Sequence, residues 1–129
     1  MPEPCIPSSL AICIVDDDSA LLQLLEMLLE AEGFQSQTFE NSQHFVEHAR
    51  QHPVLLAILD IHMPGLTGLD VQILLKEFSP RTRVIIITGQ DAPALRQRAE
   101  ANGAIGFLLK PFDINNFISL VRTTVETPV

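Results

Sequence analysis

Four polar positions stand where apolar runs stop: the triplet Asp16-Asp17-Asp18, then Asp60, Thr88 and Lys110. Brought together, they would make a distinctive chemistry. Two carboxylate charges about 5 Å apart repel by roughly 3 kcal/mol at an effective dielectric near 20. A lysine relieves part of that, and a hard divalent ion such as Mg2+ or Mn2+ relieves more, because it takes oxygen ligands. A divalent ion, an ammonium and a hydroxyl together also stabilise phosphoryl oxygens during transfer. An aspartate in such a setting can be the nucleophile and form an acyl phosphate. On Asp60 alone, a plain turn residue explains the position equally well. The elements around it have to decide.

Leu10-Ala11-Ile12-Cys13-Ile14-Val15 and Leu55-Leu56-Ala57-Ile58-Leu59 are continuous apolar runs, as is Val84 to Ile87, and Ala104 to Leu109 form the last strand. Runs of this length without alternation predict strands buried on both faces. Gln35 to Phe39 is short and polar and suits an edge strand. Helical patterns fill the gaps. The first is capped by Asp18 or Ser19, with a stripe through Leu21, Leu24, Leu25 and Leu28, and closes at Gly33. The second starts at Asn41 or Ser42 and carries Phe45, Val46 and Ala49. Thr67 to Asp70 resembles a capping box and opens a third helix with Leu69, Ile73 and Leu74 inward. Asp91 reads as the cap of a fourth, ahead of Pro93. Asp113 caps a fifth, with Ile114, Phe117, Ile118, Val121 and Val125 on one face.

Strand and helix therefore alternate five times, the signature of a doubly wound parallel α/β sheet with helices on both faces. The polar second strand at an edge favours the flavodoxin-like order 2-1-3-4-5. In such sheets the ligand crevice lies beyond the carboxyl ends of the strands where the order reverses, here between strands one and three. Those ends are Asp16/Asp17 and Asp60, with Thr88 and Lys110 along the same rim.

Composition narrows the classes further. A chain of 129 residues that is 47% hydrophobic is one folded domain, not a disordered one. Its apolar runs are far shorter than the roughly 20 residues a membrane helix needs. Residues 1–9 carry three prolines and no basic-then-apolar leader, which predicts a mobile tail and a cytoplasmic protein. A net charge of −8 argues against direct nucleic-acid binding by this chain and suits a cation or a basic partner. Cys5 and Cys13 form neither a disulfide framework nor a zinc site, and Cys13 is expected as a buried thiol.

Val15-Asp16-Asp17-Asp18, Leu59 to Gly65, Ile87-Thr88-Gly89 and Phe107 to Phe112, in that order at the ends of strands one, three, four and five, resemble the receiver domain of bacterial two-component response regulators. The likeness covers residues 10 to about 126, with 127–129 as the C-terminal end or the start of a linker to an output domain. The wording around Thr88 and Lys110 is similar to receivers of the FixJ type. The resemblance implies that Asp60 accepts a phosphoryl group from a histidine kinase or a phosphotransfer protein. It implies that Asp17, Asp60 and the backbone carbonyl of His62 ligate Mg2+, with Asp16 acting through a metal-bound water. Thr88 and Lys110 would hold the phosphoryl oxygens, and Lys110-Pro111 would be cis. Thr88 and Phe107 would form a switch reporting to helix four, strand five and helix five, a face on which phosphorylated receivers form homodimers. Such a protein is a signalling phospho-acceptor and acts as a catalyst only on its own aspartate.

Several residues have plainer readings. Asp18 serves as a helix cap rather than a third ligand. The His62 side chain is either exposed beside the site or positions the hydrolytic water, and Gln90 flanks the site without a carboxylate. His44, His48 and His52 lack a third helical ligand and read as a solvated face. A dehalogenase-type phosphatase needs an acid where His62 stands. A P-loop or a flavin phosphate loop needs something other than three acids after strand one. The remaining alternative is a receiver fold that serves as an interaction module without phosphorylation.

Overall fold

The computed structural model describes residues 12–126. The expected mobile tail, Leu10, Ala11 and the last three residues lie outside the described residues. Five strands alternate with five helices: β1 Ile12–Val15, α1 Ser19–Ala31, β2 Ser36–Phe39, α2 Ser42–Gln51, β3 Leu56–Asp60, α3 Gly68–Phe78, β4 Arg83–Thr88, α4 Pro93–Ala101, β5 Gly106–Leu109 and α5 Ile114–Glu126. All strand pairs are parallel, in the order β2-β1-β3-β4-β5. The doubly wound sheet is thus as the sequence predicts.

The strand alternation explains why the apolar runs are unbroken. Cys13, Val15, Ala57, Leu59, Val84 and Ile86 face one layer, shared with Phe45 and Val46 of α2 and Val71 and Leu75 of α3. Ile12, Ile14, Leu56, Ile58, Ile85 and Ile87 face the other, against Leu22, Leu25 and Leu29 of α1 and Phe117 and Val121 of α5. Both faces are covered, so neither parity can be polar. The edge strands follow the same logic: β2 is only half-buried, and β5 is half-buried with Leu109 exposed. Cys13 sits in the middle of the sheet, and burial pushes its thiol up to about 12, leaving it protonated and inert, as expected of a structural thiol. Among the described residues no helix is long and apolar enough to cross a membrane.

Three details differ from the sequence expectation. The buried stripe of α1 runs through Leu22, Leu25 and Leu29, while Leu24 is exposed. In α3 the inward positions are Leu69, Val71, Gln72 and Leu75, and Ile73 faces solvent. The residue capping α4 is Ala92, whose side chain makes no hydrogen bond, because Pro93 is already in the first turn and leaves Asp91 one position too early. Elsewhere the caps hold. Asp18 Oδ1 accepts the amides of Ala20 and Leu21, Asn41 does the same for α2, and Thr67 with Asp70 closes a full capping box on α3. Each such cap stabilises its helix by about 1 kcal/mol.

Candidate functional site at the carboxyl edge of the sheet

β1 and β3 run side by side and both end in aspartate, so the next residues emerge at one edge. Asp16 is fully buried, its amide tied to the Phe39 carbonyl at 3.1 Å. Its Oδ1 accepts the Asp18 amide at 2.9 Å. Asp17, one residue on, is exposed. Asp60 is 4% exposed, and its Oδ1 accepts the His62 amide at 3.2 Å. One carboxylate oxygen each from Asp16, Asp17 and Asp60 falls within 4.8 Å of the others. Lys110 reaches across from the end of β5, its Nζ 2.7 Å from Asp16 Oδ2 and 3.4 Å from Asp60 Oδ2.

Backbone features hold these groups in place. The Lys110-Pro111 peptide is cis, and the Lys110 amide donates to the Thr88 carbonyl at 2.7 Å. Thr88 is buried at the end of β4, where its Oγ1 accepts the Gln90 amide at 3.2 Å. After Asp60 the chain turns through Gly65, at φ +78°, and returns so closely that a Cβ on Gly68 would lie 2.5 Å from the Asp60 carbonyl oxygen. Only glycine fits there. Gly68→Ala is accordingly expected to destabilise the fold by about 2 kcal/mol, since the contact is with backbone. Urea unfolding checks this, and a loss under 0.5 kcal/mol would mean that the loop yields without strain.

The electrostatics match the geometry. Burial raises the Asp60 carboxyl above its usual range, and the Asp16 charge adds to the rise, while Lys110 and the His62 amide pull it back. For Lys110 burial alone would lower the value. The hydrogen bond to Asp16 and the charges of Asp16 and Asp60 outweigh it and hold the ammonium above 10.5. The site is thus a set of carboxylates closer together than one ammonium can neutralise.

The sequence-predicted residues Asp16, Asp17, Asp60 and Lys110 meet here, with Thr88 beside them. Asp18 is a cap, and the His62 side chain is exposed while its amide serves Asp60. Phe107 is half-buried against the core, with the Arg96 guanidinium 5.3 Å from its ring centre. His48 and His52 stack on one another beside Phe39. Two features escaped the sequence reading: the close approach at Gly68, and the preference of Lys110 for Asp16 over Asp60.

Residues 12–122 match the family model of the response regulator receiver domain. The chain belongs to that family. This receiver is 34% identical over 115 residues to the response regulator protein TmoT of Ectopseudomonas mendocina, covering 89% of its own length and 52% of that protein. It spans about half the length of the curated relatives it matches first. Among solved structures it resembles the beryllofluoride-activated NtrC4 receiver domain dimer, with a TM-score of 0.86 and 28% identity over 90% of this chain and 96% of that one. It also resembles response regulator TrrA from Thermotoga maritima in complex with Mg2+-BeF, with a TM-score of 0.80 and 26% identity over 89% and 98%. The receiver is therefore a signalling domain of two-component response regulators. Its acidic group, all oxygen donors with no nitrogen or sulfur among them, suits Mg2+.

Proposed function

We propose that Asp60 accepts a phosphoryl group from the phosphohistidine of a histidine kinase or phosphotransfer protein. The observation that carries this reading is the set of three clustered carboxylate oxygens beside Lys110, with Asp60 at the centre of the carboxyl edge. An Asp60 carboxylate oxygen attacks phosphorus. The P–N bond to the donor imidazole breaks, its electron pair stays on nitrogen, and that nitrogen takes a proton from solvent. The product is an acyl phosphate, and attack of water on its phosphorus returns the carboxylate and inorganic phosphate.

The chain's own groups have separate parts. Lys110 Nζ, already within reach of Asp60 Oδ2, holds one phosphoryl oxygen, and the Thr88 hydroxyl another. Asp17, Asp60 and the His62 carbonyl would hold Mg2+ or Mn2+, with Asp16 acting through a water. The bound ion supplies positive charge that offsets the incoming phosphoryl group. When Thr88 turns toward the new charge, Phe107 moves inward to fill the space and leaves the Arg96 guanidinium. The face formed by α4, β5 and α5 then reports the change; a solved neighbour, the beryllofluoride-activated NtrC4 receiver domain, is a dimer. A homodimer on this face is the outcome that fits.

Acetyl phosphate with Mg2+, followed by intact mass spectrometry, tests the reading. The protein should gain one phosphoryl group that alkali removes, and Asp60→Asn should gain none. An unmodified parent would favour the interaction-module alternative.

A further inference from the structure

Helix α4 is held lightly for an element in the middle of a switching face. Ala99 is its one buried residue, and no side chain caps its N-terminus. Opposite Ala99, α3 presents a glutamine where the neighbouring inward positions are apolar. Gln72 is 1% exposed, and its Nε2 donates to the Ala99 carbonyl at 2.9 Å. That bond fixes the amide orientation, since only the NH2 group can face a carbonyl. Oε1 then points away from Ala99, closed off from the surface, with no protein donor reaching it. Beside the amide lies a cleft of about 230 Å3, between Leu75 and Ser79 at the end of α3 and Ala101 to Gly103 at the end of α4.

These features have opposite signs. The neutral hydrogen bond is one that water would replace when α4 moves, so its net hold is modest. The walled-off oxygen bears a full desolvation penalty that ends as soon as the contact opens. The Ala99 carbonyl needs no help from Gln72, because it also accepts the Ala104 amide at 3.0 Å. The penalty outweighs the bond. We propose that Gln72 is a positioning residue that biases α4 toward release, keeping the resting contact between α3 and α4 weak enough for an event at Asp60 to open it. The adjoining cleft gives the end of α4 room to shift. This inference rests on the phospho-acceptor reading of Asp60 and adds to it a residue outside the site.

Gln72→Leu is close in size and removes both the bond and the buried oxygen. The full chain carrying it should melt a few degrees higher. It should bind beryllofluoride with Mg2+ about fivefold more weakly, because the resting state must now be left at greater cost. Amides of α4 should exchange more slowly without any ligand. Gln72→Met, unbranched and also apolar, should behave alike and guards against a packing fault peculiar to leucine. A higher melting temperature with unchanged beryllofluoride affinity would make Gln72 merely a poor core residue and overturn the proposal. Faster α4 exchange in both variants would also overturn it, by making the amide a net tether. If the parent itself binds no beryllofluoride, the phospho-acceptor reading fails separately, and exchange in α4 still decides the role of Gln72.

Discussion

Lys110→Met is expected to cost about 3 kcal/mol in urea unfolding without metal, the low end for breaking a buried ion pair. The partner left behind is the reason. Asp16 has no exposed side-chain surface, and its Oδ2 has the Lys110 ammonium at 2.7 Å. Methionine keeps most of the apolar stem but leaves this charge facing Asp60. The Asp18 amide on Oδ1 remains, and Lys110 itself is about a quarter exposed, which keeps the cost from the upper end of the range. The sign with pH follows from the raised lysine value. From neutral pH upward the stabilisation is present below 10.5 and disappears as pH rises through the folded-state value, so parent and variant should converge in strong alkali. Saturating Mg2+ should narrow the gap at neutral pH, because the ion supplies the missing positive charge. A variant within 0.5 kcal/mol of the parent without metal would show that Asp16 carries no buried charge to offset.

What the sequence made legible follows from how the sheet is built. Continuous apolar runs in β1, β3 and β4 can only be strands covered on both faces, and the polar β2 can only be an edge. Once the order was set, the residues after each strand had to share one edge. The pattern alone therefore groups Asp16, Asp60, Thr88 and Lys110 into one site. Helix rotation was harder to read. Six leucines between Leu21 and Leu29 support two stripes one position apart, and packing on the isoleucine face of β1 and β3 selects Leu22, Leu25 and Leu29. In α3 the glutamine sits inside and Ile73 outside, against hydropathy, because the buried Gly68 and Leu69 fix the rotation. The depth of each acid was invisible as well. Asp16 and Asp17 are adjacent and chemically identical, yet one faces the core and takes the lysine while the other faces solvent.

The same crowding makes Asp60 a destabilising residue, and Asp60→Asn is expected to raise metal-free stability by about 1–2 kcal/mol at neutral pH. The gross repulsion between carboxylates at this spacing is roughly 3 kcal/mol, and Lys110 cancels part of it. The asparagine oxygen can still accept the His62 amide, so the substitution removes the charge and keeps that hydrogen bond, giving up the longer contact of Oδ2 with Lys110 at 3.4 Å. The pH dependence fixes the cause. Burial, then Asp16, raises the Asp60 carboxyl above 3.8, the reverse of a salt-bridged carboxylate. Ionising Asp60 is thus harder in the fold than in the unfolded chain. The penalty is absent below 3.8, grows as pH rises to the folded-state value and stays constant above it. The advantage of asparagine should accordingly fade on acidifying through that window. Mg2+ should narrow the gap at neutral pH. At ten times its Kd it adds about 1.4 kcal/mol to the parent, and less to a variant lacking one ligand. Thermal melts of both proteins across pH, with and without the ion, separate these contributions. An asparagine variant less stable than the parent at neutral pH without metal would mean that Lys110 already neutralises the cluster, leaving no electrostatic reason for a divalent ion to bind.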